Sequence, residues 1–293
     1  MNISDSIIAV LAYHGIFSYP LKADEIHKYQ TKKATFLQTE KTIKNLLEKK
    51  TISKKDEFYF LGKNQKLVTL RKSRQRISEK KFKRANFYAN ILRSIPTIKL
   101  VAISGALAMQ NSSASDDIDF FIICQKNCLW TTRFMANLAL LPFKREPKSR
   151  TQKDKACLNL FLDEQALTVK EQNLYTAHEI CQLNVLWDRN NTYQKFLKAN
   201  SWTKKYLPNW VSKIKTKRSK SRGSTSGYLL PGLWPLVESF LKFIQLNYMK
   251  SKITSEKIGD HQLFFHPEDT QKQILKKYSS FTRNLDKNRL FLR

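Results

Sequence analysis

Asp117 and Asp119 stand two residues apart at the head of an apolar run, inside the stretch KLVAISGALAMQNSSASDDIDFFIIC, residues 99–124. Residues two apart on a strand share a face, so the spacing predicts both carboxylates on one side while Ile118, Phe120 and Ile122 enter the core. Two such carboxylates repel each other, an arrangement that a divalent cation turns to use. Mg2+ (or Mn2+) suits it best, because that ion takes a pair of carboxylates together with substrate phosphates. The phosphates have a place to sit at Ser104-Gly105-Ala106, where the preceding apolar run turns into a helix. Gly105 is the sole glycine between Gly62 and Gly223. A residue used so sparingly at a strand-to-helix turn lets the backbone bend sharply or approach a ligand, and the N–H groups of the helix start are unpaired.

The elements that must position these residues alternate in type. A strand is expected at 99–104, a helix at 105–111, a strand at 117–124, a helix at about 128–142, a strand at 157–163 and helices to about 200, which predicts an α/β domain. On the strand CLNLFLD, alternation places Cys157, Asn159, Phe161 and Asp163 on one face and Leu158, Leu160 and Leu162 on the other. The four cysteines lack metal-site spacing and are read as buried thiols.

An apolar strand, a glycine at a helix start and Asp-x-Asp on the next strand resemble the nucleotidyltransferase fold of the DNA polymerase beta superfamily. The order of the whole chain resembles an uncharacterised bacterial group with a winged helix in front and a helical region behind. The resemblance implies a mixed α/β (α+β) sheet with helices, and transfer of a nucleoside monophosphate from an NTP to an acceptor. It implies that Asp117 and Asp119 hold Mg2+ and that Ser104, Gly105 and Ala106 line the phosphate turn. The family's serine after the glycine is Ala106 here, and Gln110 stands at a later small-residue position. A third carboxylate is usual on a neighbouring strand. Asn159 is the nearer equivalent, and an amide cannot act as a general base; Asp163 lies four residues farther, roughly 13 Å at strand rise, and is expected to be structural. The alternative reading is a catalytically inactive nucleotidyltransferase-like protein that binds nucleic acid through its winged helix and basic surface.

Around that centre, residues 1–62 are expected to form a winged helix-turn-helix-like domain: helices at 5–14, from Pro20 and at 36–50, then two β-prone runs in TISKKDEFYFLG. Lys41, Lys44, Lys49 and Lys50 suit phosphate contact with RNA or DNA. Residues 63–94 are expected to be a basic connecting helix, with Leu67, Leu70, Ile77 and Phe82 as its apolar stripe and its cations on a solvated face. Residues 95–212 carry the nucleotidyltransferase-like domain with a helical extension, 213–228 a flexible basic linker and 229–293 a helical C-terminal region, in which the helix from Trp234 buries its apolar face. The net charge of +29 concentrates phosphate or nucleic acid near the surface. No secretory signal is evident, and Pro231, Pro235, Glu238, Lys242 and Gln245 interrupt the most apolar segment. A cytoplasmic protein without a membrane partner is expected.

Overall fold

A computed structural model describes residues 2–145, 152–212, 234–250, 257–264 and 268–290; the linker expected at 213–228 lies outside them. Helix α1 (Ile3–Gly15) starts from a reciprocal cap, in which Asp5 N–H donates to the Asn2 side chain and Asn2 N–H to the Asp5 carboxylate. Helices α2 (Ala23–Tyr29) and α3 (Phe36–Glu48) follow, and Thr35 and Gln38 cap the latter in the same reciprocal way. Strands β1 (Ser53–Lys55) and β2 (Phe58–Phe60) form an antiparallel hairpin. The long helix α4 (Lys66–Leu92) leads into the central sheet.

Next in order come β3 (Ile98–Ile103), α5 (Gly105–Ala108), β4 (Ile118–Cys124), α6 (Leu129–Ala139), β5 (Ala156–Asp163), α7 (Leu174–Gln182), β6 (Asn184–Asp188), α8 (Thr192–Ala199), α9 (Trp234–Lys250), β7 (Lys257–Ile258), β8 (Gln262–Phe264) and α10 (Glu268–Leu290). The six strands form one mixed sheet in the order β6-β3-β4-β5-β8-β7, with β4 and β5 parallel and the other neighbours antiparallel. Two of its edges depart from the expectation of helices alone. NVLWD between α7 and α8 is too short for a strong periodic signal, yet it pairs with β3. The β7–β8 hairpin interrupts the helical C-terminal region and extends the sheet beyond β5. Among the described residues, no helix is long and apolar enough to cross a membrane.

Each sheet face has its own core. Leu100, Ala102, Phe121, Ile123, Leu160 and Leu162 pack toward α7, α8 and the N-terminal helices, whereas Val101, Ile103, Phe120, Ile122 and Phe161 pack toward α4 and α6. Each fully buried aliphatic or aromatic side chain contributes about 1.5–3 kcal/mol. The two sets also locate a break in β5. Asp119 pairs with Cys157, but Phe121 pairs with Leu160, so β5 carries one extra residue in a bulge. The expected grouping therefore breaks at the bulge: Cys157 and Asn159 lie on the Asp119 face with Leu160 and Leu162, while Phe161 faces the opposite core.

Helix α4 buries Val68, Arg71, Ser78, Lys81, Ala85, Tyr88 and Leu92, not the stripe expected from Leu67, Leu70, Ile77 and Phe82; Leu70 is exposed. Two cations treated as solvated are thus internal. Arg71 pairs with Glu25 at 3.1 Å and donates to the carbonyls of Met109 and Gln110, tying α2 to the loop after α5. Lys81 pairs with Asp154 at 2.8 Å and donates to the Asp116 carbonyl at 2.5 Å. Helix α9 meets its expectation in part, with Met249 buried and Leu241 and Leu246 packed against the same core. It docks on α6 through Glu238, which accepts from Trp130 N–H at 2.7 Å and Thr131 N–H at 2.9 Å, and through Gln245, while Leu236, Phe240 and Phe243 remain exposed. Satisfying the free N–H groups at the start of α6 acts together with the packing of Leu241, Leu246 and Met249 to fix its orientation.

Candidate metal and phosphate site

The site forms where β3 ends and β4 and β5 begin. Asp117 lies just before β4 and Asp119 is its second residue, so the pair straddles the strand start instead of lying within the strand. Their carboxylates nevertheless converge: one oxygen from each, together with Cys157 Sγ, all lie within 4.8 Å of one another. Asp119 is held by Asn159 Nδ2, which donates to Oδ1. Cys157 Sγ donates to Asn159 Oδ1 at 2.7 Å, and Arg145 donates to Asp117 Oδ2 at 2.9 Å.

The glycine turn closes on the same carboxylate. Gly105 has φ +62°, in the left-handed region, and a Cβ there would meet Asp119 Oδ2 at 3.0 Å. Glycine is thus required twice, for its backbone angle and for the space its missing side chain leaves. Ser104 N–H donates to the Asp119 carbonyl at 3.0 Å, locking the turn to β4. Ser104 is 2% exposed, yet its Oγ has no hydrogen-bond partner among the described residues. A buried unpaired hydroxyl costs on the order of 1–3 kcal/mol, a cost that a bound ligand would relieve. Ala106 supplies backbone only.

Burial, the neighbouring Asp117 carboxylate and Glu179 push Asp119 up to about 7. Burial and the two aspartates likewise raise the Cys157 thiol, which stays protonated. The donor set is therefore two carboxylates with a neutral thiol beside them, which suits a hard cation such as Mg2+ or Mn2+ more than a thiolate-seeking metal. The ligand atoms stand close enough together to hold one metal ion.

The loop before β4 is braced from α4. Asp116 accepts from Ser113 N–H at 2.8 Å, and Lys81 holds both the Asp116 carbonyl and Asp154, which precedes β5. Sequence reasoning missed Lys81, Arg145, Tyr175 and Glu179. Lys81 had a usable signal, since Ser78, Lys81 and Ala85 follow helical spacing on one face; Tyr175 and Glu179, four apart on α7, had the same. Asp163 is not part of the site. It lies at the far end of β5, fully buried, with its carboxylate taken up by Asn127 N–H at 3.3 Å, Gln165 N–H at 2.8 Å and His261 Nδ1 at 2.7 Å.

Compared with protein-family models, with curated proteins and with solved structures, the chain matches none.

Proposed function

We propose that this chain is a metal-dependent nucleotidyltransferase that moves an NMP group from an NTP to an acceptor, built on a nucleotidyltransferase-like sheet. The observation that carries this reading is the contact between the Asp119 carboxylate and the positive-φ Gly105, with the partnerless Ser104 hydroxyl beside it. Asp117 and Asp119 would hold Mg2+ or Mn2+. When bound, the ion supplies charge neutralisation for the phosphates and lowers the pKa of the attacking group. Gly105 and Ala106 would place backbone N–H groups, and Ser104 its hydroxyl, against the triphosphate. Arg145 balances Asp117 in the free protein and turns to phosphate oxygens once a cation takes over that role. Asn159 orients Asp119 through its amide.

Residues 1–62 are read as the winged helix and the exposed Lys41 and Lys44 of α3 as a contact to RNA or DNA, supported by three helices and a hairpin in that order. The alternative reading, a nucleotidyltransferase-like protein that binds nucleotide or nucleic acid without turnover, draws support from Asn159 at the place of a third carboxylate. A cytoplasmic location belongs to both readings. Incubation with α-labelled NTPs, Mg2+ and pools of RNA, protein and small molecules separates them. Label transfer by the wild type and none by Asp119→Asn is the expected result; tight nucleotide binding without transfer to any pool would establish the alternative.

A further inference from the structure

Beside the carboxylate pair, on the same face of the sheet, lies a cavity of about 580 Å³, within the size range of small-molecule sites, ~300–1,000 Å³. Phe121 and Leu160 form its floor, and Ile180 of α7 and Phe196 of α8 form its walls. Lys170, Glu171, Tyr175, Thr176, Gln262 and Gln271 also line it, and two further polar residues bear on its chemistry. Ser104, with its buried and unpartnered hydroxyl, sits at the end nearest Gly105. Glu179 lines the cavity from α7 and takes part in no ion pair among the described residues. Phe121 is two residues from Asp119 on one strand face, so cavity and carboxylates adjoin at about 7 Å along β4.

The geometry points to this cavity as the acceptor pocket, taking a small molecule with an apolar body and a hydroxyl group directed toward Ser104 and Glu179, with Glu179 as the proton acceptor. A largely apolar chamber with Ser104 and Glu179 in its lining discriminates by shape for the body and by hydrogen bonding for the protic end. At about 580 Å³ it holds a small molecule and is too small for a folded macromolecule. Burial pushes Glu179 up to about 7, and Glu179 in turn raises the neighbouring Tyr175, in keeping with a carboxylate in a dry chamber. The step balances: the acceptor oxygen bonds to the α-phosphorus of the NTP and that phosphorus loses its bond to the bridging oxygen. Pyrophosphate leaves with the electron pair, and the hydroxyl proton passes to Glu179.

The assignment of Glu179 rests on the nucleotidyl-transfer reading; the ligand class rests on the cavity. The probe is 2-naphthylmethanol, titrated calorimetrically into the full chain beside a separate titration with Mg2+ and a non-hydrolysable α,β-methylene ATP. The wild type should bind the probe with a Kd below ~1 mM. Ile180→Trp, which fills the wall, and Val169→Trp, which fills the half-buried rim, should each weaken the probe by at least about tenfold and leave the nucleotide analogue within about twofold. Two positions keep the test valid if one variant fails to melt cooperatively. Glu179→Gln should keep both ligands and lose transfer. Absence of probe binding to the wild type overturns the inference. Loss of the analogue in both tryptophan variants also overturns it, by giving the cavity to the nucleotide base. Probe binding that responds to the fills in a protein that never binds the analogue upholds the ligand pocket and removes the nucleotidyl-transfer reading, and with it the role of Glu179.

Discussion

Two aspartates at opposite ends of the β4–β5 pair show what a buried carboxylate is for. Asp163, at the end of β5, is completely buried, and its oxygens are taken up by two backbone N–H groups and a histidine. Asp119, at the start of β4, has a side-chain amide on one oxygen, a second carboxylate beside it and a glycine turn pressed against the other oxygen. The first is a finished structural anchor, since every lone pair that matters has a donor. The second is under-compensated, because its neighbours raise the energy of its charged form. The difference teaches that burial alone does not mark a site; burial with too few donors does.

The contrast is broken most severely at the anchor. Asp163→Ala leaves two backbone N–H groups and His261 unpaired, and should lower stability by about 3 kcal/mol, or roughly 5–10 °C in Tm. Cation binding at the other end should survive, since about 20 Å of strand separates Asp163 from Cys157. A Tm within 2 °C of wild type, measured by differential scanning calorimetry, would make Asp163 dispensable and remove the contrast.

Gly105→Ala should act less on stability and more on the site. Forcing a side chain into the left-handed region costs about 1–2 kcal/mol, and the new methyl presses on Asp119 Oδ2 at a separation of 3.0 Å. Urea unfolding checks the first effect. Weaker Mn2+ binding than the stability loss explains checks the second.

The effect of Asp119→Asn on the free protein should depend on pH. The folded state holds the Asp119 proton up to about 7, whereas an ordinary aspartate releases it near 3.8. Stability from that proton is complete below the lower value and is lost as pH rises through the higher one. The asparagine variant lacks that loss, so it should gain on wild type between pH 4 and pH 8 in urea midpoints measured without metal. The buried His14, lowered to about 4 by burial, opposes folding on the acid side of 6.5 in both proteins and so cancels from the difference. A difference that stays flat with pH would contradict the account of Asp119.

Much of this contrast was legible in the sequence, for stated reasons. Asp117, Asp119 and Gly105 could be singled out because their types are rare in such a setting: acids at the head of an apolar strand, and one glycine in a long glycine-free interval. The helices α1, α3 and α4 and the strands β3, β4 and β5 carried enough period to be placed near their observed ends. Three things were hidden. The β5 bulge at Leu158–Asn159 shifts the strand phase by one residue, which no alternation rule detects, and it moves Phe161 off the site face. The short strands β6 and β8 owe their existence to β3 and β5, far away in sequence, and β7 pairs only with β8. Lys81 and Arg71 looked like two more surface cations, because their acidic partners, Asp154 and Glu25, come from distant segments.

The central claim is that Asp117 and Asp119 form a cation site served by the Gly105 turn, and Mn2+ titration followed by electron paramagnetic resonance tests it most directly. Wild type with α,β-methylene ATP should take up Mn2+ at sub-millimolar concentration, and Asp119→Asn, which stays folded, should weaken that uptake by at least about a hundredfold, on the order of 3 kcal/mol. Equal Mn2+ uptake by the two proteins, or none by wild type at millimolar metal and nucleotide, would contradict it.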